Sequence, residues 1–258
     1  MTKALILAAG QGTRLRPITN DRPKCLVPLM GVSLLERQVS ILNEARITDI
    51  HIATGYRSDQ IDKLGFATSY NENFDKTNMV ESLFCAIEFI RECEEDLVIS
   101  YGDIVYQIEN LNAVLNSDDE VTLMIDKNWK DLWATRLENP LDDAETLVLD
   151  SNGYVIELGK KPENYDQIDG QYTGLIKIRK DKLADLIAFY HGLNRETNYD
   201  GQDFKNMYMT SFLQLLIDTG WQVKAAEVRS GWLEVDSVDD LKCYEDLFKR
   251  GELDRFYK

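Results

Sequence analysis

Apolar residues recur along the first hundred positions in two patterns that alternate. Residues Lys3–Ala8 form a nearly continuous apolar run, which is typical of a parallel strand buried on both faces. Similar runs predict further strands at 49–54, 66–70 and 96–100. Helical spacing predicts one helix that begins at Ser33, where Glu36 completes a capping box, and another over 78–93. This alternation predicts an α/β fold, a Rossmann-like mixed, mainly parallel sheet with helices on both faces.

From residue 111 onward, strands follow one another more often. Further strands and helices are predicted at 121–125, 172–178, 181–191, 204–219 and 221–228, and a last helix begins at Ser237. Asn152-Gly153 predicts a tight hairpin turn, because this dipeptide tolerates positive φ angles. We therefore expect a small antiparallel portion beside the parallel sheet. The expected organisation is a single domain, 1–258, made of a first half at 1–110, a second half at 111–236 and a C-terminal helix at 237–258.

The composition is that of a globular protein with a large negative charge. Of the 258 residues, 44% are hydrophobic and 29% are charged. The 29 Lys and Arg residues against 45 Asp and Glu residues give a net charge of −16. Such a charge repels bare polyanions, so we expect no nucleic-acid partner. A small anionic ligand would need a local group of basic side chains or a divalent metal.

The apolar runs are short, which bears on the location of the protein. None approaches the roughly 20 residues of a membrane span, so we expect no membrane partner. The N-terminal run from Ala4 to Ala9 is shorter than the core of about 7–15 residues that a signal peptide needs. We therefore expect a cytoplasmic protein. Its four cysteines contain no CxxC pair and are expected to be reduced, and with two histidines they form no zinc pattern.

The first candidate for chemistry follows directly after the first strand. Gly10 and Gly12 let the backbone turn sharply and present N–H groups to an anion, while Arg14 and Lys24 add positive charge. The segment lacks the Gly-Lys-Ser/Thr of a Walker A loop. It also has Leu15 where a dinucleotide-binding fingerprint would have its third glycine. Together the two glycines and two cations describe a cradle for a polyphosphate.

Residues 7–29, LAAGQGTRLRPITNDRPKCLVPL, resemble the signature LAAGxGxRLxPxTxxxPKxLxP of nucleotidyltransferases that activate phosphorylated sugars and small phosphorylated alcohols. The resemblance implies that 1–110 binds the nucleotide and that 111–236 binds the acceptor. It also implies that Arg14 and Lys24 are catalytic, because they would stabilise charge at the α-phosphate. The implied nucleotide-binding residues are Leu7, Ala8, Ala9, Gly10, Gln11, Gly12, Thr13, Tyr56, Asn78, Ser82 and Gly102.

Two aspartates match the carboxylates with which this family holds its catalytic Mg²⁺. Asp103 lies in SYGDIVY and Asp236 in GWLEVDSVDDL. Mg²⁺ prefers one or two carboxylates together with phosphate oxygens and water, so two aspartates suffice. Glu234 is the alternative to Asp236, and alternation along a strand would point both to the same face.

Residues 77–86, TNMVESLFCA, resemble the branch of the family that uses CTP to activate phosphocholine, aminoethylphosphonate and related small phosphates or phosphonates. Asn78 and Ser82 would then contact the base. Each has a structural alternative, since Asn78 could cap the helix and Ser82 could be a solvated helix residue.

The acceptor-binding residues implied by the resemblance lie in the second half. Lys161, with Lys160 as its alternative, matches a lysine that holds the acceptor phosphate, and Glu157 precedes it. Further acceptor-binding candidates are Tyr172, Thr173, Trp129 and Trp232. Aromatic side chains can bind a quaternary ammonium through cation–π contact, and they can equally close the edge of a core.

The predicted activity is Mg²⁺-dependent transfer of CMP from CTP to the phosphate or phosphonate of a small acceptor, with release of pyrophosphate. One alternative is a sugar-1-phosphate nucleotidyltransferase that uses UTP, dTTP or GTP. A catalytically silent regulator is the other, and the complete set of glycines, cations and aspartates weighs against it. The family implies a product used to decorate a capsule, lipopolysaccharide or lipid. The oligomeric state stays open, and a homodimer is one alternative.

Overall fold

The computed structural model describes residues 2–258, and its strands and helices alternate over the first hundred residues as predicted. The strands are β1 Lys3–Ala8, β2 Pro28–Leu29, β3 Val32–Ser33, β4 Ile50–Thr54, β5 Ala67–Tyr70, β6 Leu97–Tyr101, β7 Ile104–Tyr106, β8 Val121–Asp126, β9 Leu147–Leu149, β10 Val155–Leu158, β11 Gln171–Ile178, β12 Val223–Val228 and β13 Trp232–Glu234. The helices are α1 Leu34–Glu44, α2 Ser58–Asp62, α3 Met79–Cys85, α4 Ile87–Arg91, α5 Ile108–Leu115, α6 Trp129–Arg136, α7 Leu183–Gly192, α8 Met209–Asp218 and α9 Val238–Lys249.

A mixed sheet organises the molecule, and its seven strands within residues 2–258 run in the order β12-β8-β11-β6-β1-β4-β5. Strand β1 is parallel to β4 and β6, β4 is parallel to β5, and β12 is parallel to β8. Strand β11 is antiparallel to both of its neighbours, β6 and β8. The prediction of a mixed, mainly parallel sheet is therefore confirmed.

Helices cover both faces of this sheet, and alternate residues of β1 contribute to two separate cores. Ala4, Ile6 and Ala8 pack in the core that contains residues of α1, α5, α6 and α9. Leu5 and Leu7 pack in the core that contains residues of α3, α7 and α8. A strand buried on both faces must be apolar at every position, which explains the continuous apolar run at 3–8. No helix within residues 2–258 has both the length and the apolar character that a membrane crossing needs.

Short antiparallel pairs lie outside the main sheet. The predicted hairpin is confirmed, since β9 pairs with β10 across a turn in which Gly153 has a φ of 77°. Strand β7 pairs with β13 in a second antiparallel pair. The sequence pattern did not predict this second pair, because its strands have three residues each and give too little alternation to recognise.

The predicted helices are present, but two of them differ in detail. The helix predicted over 78–93 divides at the buried Ala86 into α3 and α4, because Ala86 leaves helical geometry with φ −90° and ψ 22°. The apolar spacing continues across this break, so the pattern could not reveal it. The helix predicted over 204–219 starts as a 3-10 turn, Phe204–Asn206, before α8. The capping boxes at Ser33 and Ser237 are both present.

Candidate active site

Three parallel strands, β1, β4 and β6, end at one edge of the sheet, and the candidate site lies there. The backbone N–H of Gly102 donates to the carbonyl oxygen of Leu7 at 2.9 Å, and the N–H of Tyr56 donates to that of Ala9 at 3.0 Å. The segments that follow the three strands are therefore fixed side by side. Ligands bind at the carboxyl ends of strands in open α/β sheets, so this edge is where a nucleotide is expected.

The signature segment folds back over the edge in three 3-10 turns, Thr13–Leu15, Ile18–Asn20 and Lys24–Leu26. Gly12 has a φ of 61°, a left-handed conformation that glycine adopts without strain. A Cβ atom at this position would lie only 3.0 Å from Cβ of Lys24. The hydroxyl of Thr19 donates to the carbonyl oxygen of Gly12 at 2.7 Å. The second glycine of the signature therefore lets the loop close against Lys24.

The two predicted metal ligands, Asp103 and Asp236, lie together because β7 and β13 pair. Asp103 precedes β7, Asp236 follows β13, and the N–H of Val235 donates to the carbonyl oxygen of Asp103 at 3.0 Å. Gly102 lets the segment before Asp103 lie close to β1, since a Cβ atom at this position would lie 2.8 Å from the carbonyl oxygen of Leu7. Residues 133 positions apart in the chain are thus joined by one short antiparallel pair.

The predicted catalytic cations contact these carboxylates directly. Nζ of Lys24 donates to Oδ2 of Asp103 at 2.7 Å and to Oδ1 of Asp236 at 2.6 Å. Arg14 forms an ion pair with Asp236. The side chain of Lys24 is only 15% exposed. Burial would lower the pKa of Lys24, but Asp103 and Asp236 outweigh it and hold the pKa above its ordinary value, so the ammonium stays charged.

The donor set fits a divalent cation that is completed by phosphate oxygens. Oδ1 of Asp103 is buried and has no hydrogen-bond partner, although a buried carboxylate oxygen normally has one. Residues 2–258 contain no group of three or more His, Cys, Asp and Glu side chains arranged around a metal. A site with two carboxylates is what Mg²⁺ uses when a polyphosphate supplies further ligands.

A cavity of about 290 Å³ opens beside the signature segment and contains most of the predicted nucleotide-binding residues. Those in its wall are Leu7, Ala8, Ala9, Gly10, Gly12, Thr13, Asn78, Ser82 and Gly102. The predicted catalytic residues Arg14 and Lys24 and the predicted metal ligands Asp103 and Asp236 lie in the same wall. Gln11 and Tyr56 are outside the wall, and the hydroxyl of Tyr56 donates instead to the carbonyl oxygen of Asn20 at 2.9 Å. The wall also includes Cys25, Phe74, Thr77, Met79 and Tyr101, which the sequence analysis did not assign to it.

The two predicted base contacts both line this first cavity while also serving local structure. Oδ1 of Asn78 accepts from the N–H of Met79 at 2.8 Å, so the helix-cap alternative for Asn78 is confirmed. Ser82 is buried rather than solvated, and its hydroxyl oxygen accepts from Nδ2 of Asn71 at 3.0 Å. Base contact by these two residues stays a prediction.

A second cavity, of about 210 Å³, adjoins the first on the side of β11 and β13. Of the predicted acceptor-binding residues it contains Tyr172, Thr173 and Trp232, together with Glu234, the alternative metal ligand. The wall also includes Trp133, Asp143, Glu145, Gln171, Tyr208, Met209 and Thr210. Trp133 belongs to α6, Gln171 to β11 and Met209 to α8, so only the fold brings these separate elements together.

Three predicted acceptor-binding residues lie outside this second cavity. Nζ of Lys161 donates to the carbonyl oxygens of Leu141 and Asp142, at 2.5 and 2.7 Å. Glu157 pairs on the surface with the alternative residue Lys160, at 2.8 Å. Trp129 is buried, with its ring edge-on to that of Trp133 at 5.9 Å between centroids. Lys161 thereby braces the segment that leads to the cavity residue Asp143, and a direct acceptor contact for it stays a prediction.

The second cavity is acidic as well as aromatic. Its wall carries the four carboxylates of Asp143, Glu145, Glu234 and Asp236, against the single cation of Arg14. Burial, together with the negative charge of the neighbouring Asp143, raises the pKa of Glu145 to about 6. Burial and Asp103 likewise raise the pKa of Glu234. An acidic cavity with aromatic walls suits a ligand group that carries positive charge.

The sequence profile of the MobA-like NTP transferase domain matches residues 4–141, which include the signature loop, β1, β4, β6 and Asp103. The chain belongs to this family. It is a nucleotidyltransferase, and the resemblance drawn from residues 7–29 is confirmed.

Relatives of this nucleotidyltransferase extend the match to nearly the whole chain. The chain is 43% identical over 249 residues to a CTP:phosphoglutamine cytidylyltransferase of Campylobacter jejuni, covering 93% of this chain and 97% of the relative. It is 29% identical over 201 residues to a choline-phosphate cytidylyltransferase of Haemophilus influenzae, covering 70% of this chain and 79% of that one. The solved CTP:phosphocholine cytidylyltransferase of Streptococcus pneumoniae has the same fold, with a TM-score of 0.69 at 22% identity over 96% of this chain and 99% of that chain.

The two cavities of the nucleotidyltransferase share one wall. Arg14, Met79, Tyr101 and Asp236 line both of them. A predicted catalytic cation and a predicted metal ligand therefore lie at the boundary between the two spaces. The arrangement can hold two ligands with their reacting ends at Arg14 and Asp236, as group transfer between them requires.

Proposed function

We propose that this nucleotidyltransferase is a cytidylyltransferase that moves CMP from CTP to the phosphate or phosphonate of a small acceptor and releases pyrophosphate. The observation that carries the proposal is the 43% identity to a CTP:phosphoglutamine cytidylyltransferase, over 93% of this chain and 97% of the relative. The adjoining cavities support it, because they provide separate spaces for a nucleotide and an acceptor.

In the proposed reaction, CTP occupies the first cavity with its triphosphate on the Gly10–Gly12 turn. The acceptor phosphate approaches from the second cavity, past the shared wall. One of its oxygens forms a bond to the α-phosphorus, while the bond from that phosphorus to the bridging oxygen breaks and pyrophosphate leaves with the electron pair. The second pKa of a phosphate monoester is near 6, so its oxygen is already ionised at neutral pH and no general base is needed. Catalysis then rests on positioning and on charge stabilisation.

Arg14 and Lys24 would supply that charge stabilisation from the protein. Both cations pair with carboxylates, Lys24 with Asp103 and Asp236, and Arg14 with Asp236. We infer that Asp103 and Asp236 would hold Mg²⁺ and that Arg14 and Lys24 would contact phosphate oxygens of the nucleotide. Mg²⁺, when bound, supplies positive charge next to the reacting phosphate.

The second cavity supports an acceptor that carries an ammonium group. Its carboxylates at Asp143 and Glu145 offer negative charge, and its wall includes the rings of Trp133 and Trp232. Phosphoglutamine, phosphocholine and phosphoethanolamine each combine a phosphoryl group with an ammonium group. A sugar phosphate has no positively charged group, so it would leave these carboxylates without a charged partner. The sugar-1-phosphate alternative is therefore less well supported. Cytoplasmic location, a homodimer and a role in cell-surface decoration stay predictions.

The test is pyrophosphate release with Mg²⁺, measured for CTP, UTP, dTTP, GTP and ATP against phosphoglutamine, phosphocholine, phosphoethanolamine, aminoethylphosphonate, glycerol phosphate and glucose-1-phosphate. Release with CTP and an ammonium-bearing acceptor is expected. Release with UTP, dTTP or GTP and glucose-1-phosphate would replace the proposal with the sugar-1-phosphate alternative. A preparation made in the same way from cells that lack the gene provides the blank, because release that persists in it would come from a contaminating enzyme.

A further inference from the structure

A buried arginine lies behind the second cavity, on the side away from the nucleotide. Arg136 is the last residue of α6, the helix that also carries the cavity residue Trp133. Its side chain is only 4% exposed. Nε and Nη2 donate to the two oxygens of Asp240 at 2.7 and 3.1 Å, which is the bidentate geometry that fixes both groups most firmly.

The partner of Arg136 holds the backbone of a predicted metal ligand. Oδ2 of Asp240 accepts from the N–H of Asp236 at 3.1 Å and from the N–H of Ser237 at 2.8 Å. The third nitrogen of the guanidinium, Nη1, lies 3.5 Å from Oε2 of Glu234, in the wall of the second cavity. Arg136 therefore contacts the carboxylate of Glu234 directly and is linked through Asp240 to the backbone of Asp236.

Helix capping alone does not account for this arrangement, because the chain contains a second capping box for comparison. At the start of α1, Glu36 accepts from the N–H of Ser33 at 3.0 Å, and the side chain of Glu36 is exposed. At the start of α9 the equivalent carboxylate, Asp240, is buried and paired with a buried arginine. Burying such a pair is costly unless its geometry is excellent and further hydrogen bonds satisfy it, and here the pair is bidentate and Asp240 accepts two further backbone hydrogen bonds.

We propose that Arg136 is a positioning residue, which fixes Asp240 and through it sets Asp236 for the cation that the nucleotide brings. The proposal rests on the proposed function, since it takes Asp236 as a metal ligand. Arg136 also connects α6, which carries Trp133 of the second cavity, to the segment that carries Asp236. The same residue would therefore position both the wall of the second cavity and the metal ligand. Groups that orient metal ligands are commonly worth about 10- to 100-fold in metal affinity or activity.

The experiment measures binding of Mn²⁺ by electron paramagnetic resonance in the presence of α,β-methylene-CTP, which cannot release pyrophosphate. Arg136→Lys keeps the charge and loses the bidentate fork, so Mn²⁺ binding should weaken by about 10- to 100-fold. Arg179→Lys is the matched control, because Arg179 donates to both oxygens of Asp181, at 2.6 and 2.9 Å, on the surface away from both cavities. Its Mn²⁺ binding should equal that of the unchanged protein.

Thermal unfolding followed by circular dichroism shows first that each variant is folded at the assay temperature. If Arg136→Lys is not, Asp240→Asn takes its place, because asparagine keeps one oxygen to cap α9 and loses the ionic half of the pair. Unchanged Mn²⁺ binding in a folded variant would overturn the positioning role. Absence of Mn²⁺ binding in the unchanged protein would overturn the metal assignment in the proposed function, and with it this inference, so the two failures are distinguishable.

Discussion

The ammonium of Lys24 lies 2.7 Å from a carboxylate oxygen of Asp103 and equally close to one of Asp236, at 2.6 Å. A predicted catalytic cation therefore lies between two predicted metal ligands. The cations of Lys24 and Arg14 balance the negative charge of these two carboxylates. A divalent cation would balance the same charge during the proposed reaction. A metal ion without its nucleotide must compete with Lys24 for these oxygens.

Replacing Lys24 with methionine should let the free protein bind Mn²⁺ more tightly. Affinity should rise about tenfold or more, because a unit charge near 3 Å is worth several kcal/mol even at an effective dielectric constant of about 20. Electron paramagnetic resonance without any nucleotide measures it. Lys63→Met serves as control, since Lys63 pairs with Asp59 on the surface at 3.1 Å. Equal Mn²⁺ affinity in Lys24→Met and the unchanged protein would mean that Lys24 does not block the carboxylates.

Asp103→Asn should abolish turnover while leaving the fold in place. A cation at the reacting phosphate supplies several kcal/mol, so the loss should be about 1000-fold. Stability should change little, because Lys24 keeps Asp236 as a partner. Pyrophosphate release and thermal unfolding measure the two effects, with Asp21→Asn as control because Asp21 pairs with Arg22 on the surface. Near-normal turnover in Asp103→Asn would remove Asp103 from the metal site.

Glu145→Gln should stabilise the protein more at pH 7 than at pH 4.5. The pKa of Glu145 is raised from 4.5 to about 6, so the folded chain holds this proton more tightly than the unfolded chain does. Its contribution is therefore fully present below pH 4.5 and is lost as the pH rises through about 6. Glutamine does not titrate, so the gain in midpoint temperature should grow between these pH values. The exposed Glu196→Gln is the control, and a gain independent of pH would contradict the assignment.

Gly102→Ala should destabilise the protein and impair turnover together. Its Cβ atom would lie 2.8 Å from the backbone oxygen of Leu7, which cannot move without disturbing β1. Overpacking of this kind costs about 1–3 kcal/mol, measurable by denaturant unfolding. Gly192→Ala is the matched control, because a Cβ atom there meets no other atom within 4 Å. If both variants unfold at the same denaturant concentration, the close approach at Gly102 has no energetic consequence.

The first half of the molecule could be predicted closely from the sequence, because its signals are local. The run at Lys3–Ala8 matches β1 residue for residue, and the capping box at Ser33 is set by two residues three positions apart. The predicted cradle of Gly10, Gly12, Arg14 and Lys24 forms part of one cavity wall, since a long signature fixes its members together.

The second cavity could not be predicted in the same way. Its wall is formed by the packing of α6, β11 and the segments between them, which brings together Trp133, Glu145 and Gln171. No spacing of residues in the sequence predicts this packing. Lys161 was matched to a short motif, and its ammonium donates to two backbone carbonyls, so its contact with the acceptor stays a prediction. The sequence also did not predict the pairing of β7 with β13, which brings Asp103 close to Asp236.

The division of the cavity walls along the chain has a consequence for how such enzymes can diverge. Apart from Asp236, every residue of the first cavity lies at or before Asp103, whereas the second cavity draws most of its wall from Trp133 onward. Under the proposed function, selectivity for the nucleotide and for the acceptor is therefore determined by different stretches of the chain. Exchange of the later stretch between relatives could supply a new acceptor to an unchanged nucleotide site, provided that Arg14, Met79, Tyr101 and Asp236 are kept at the junction.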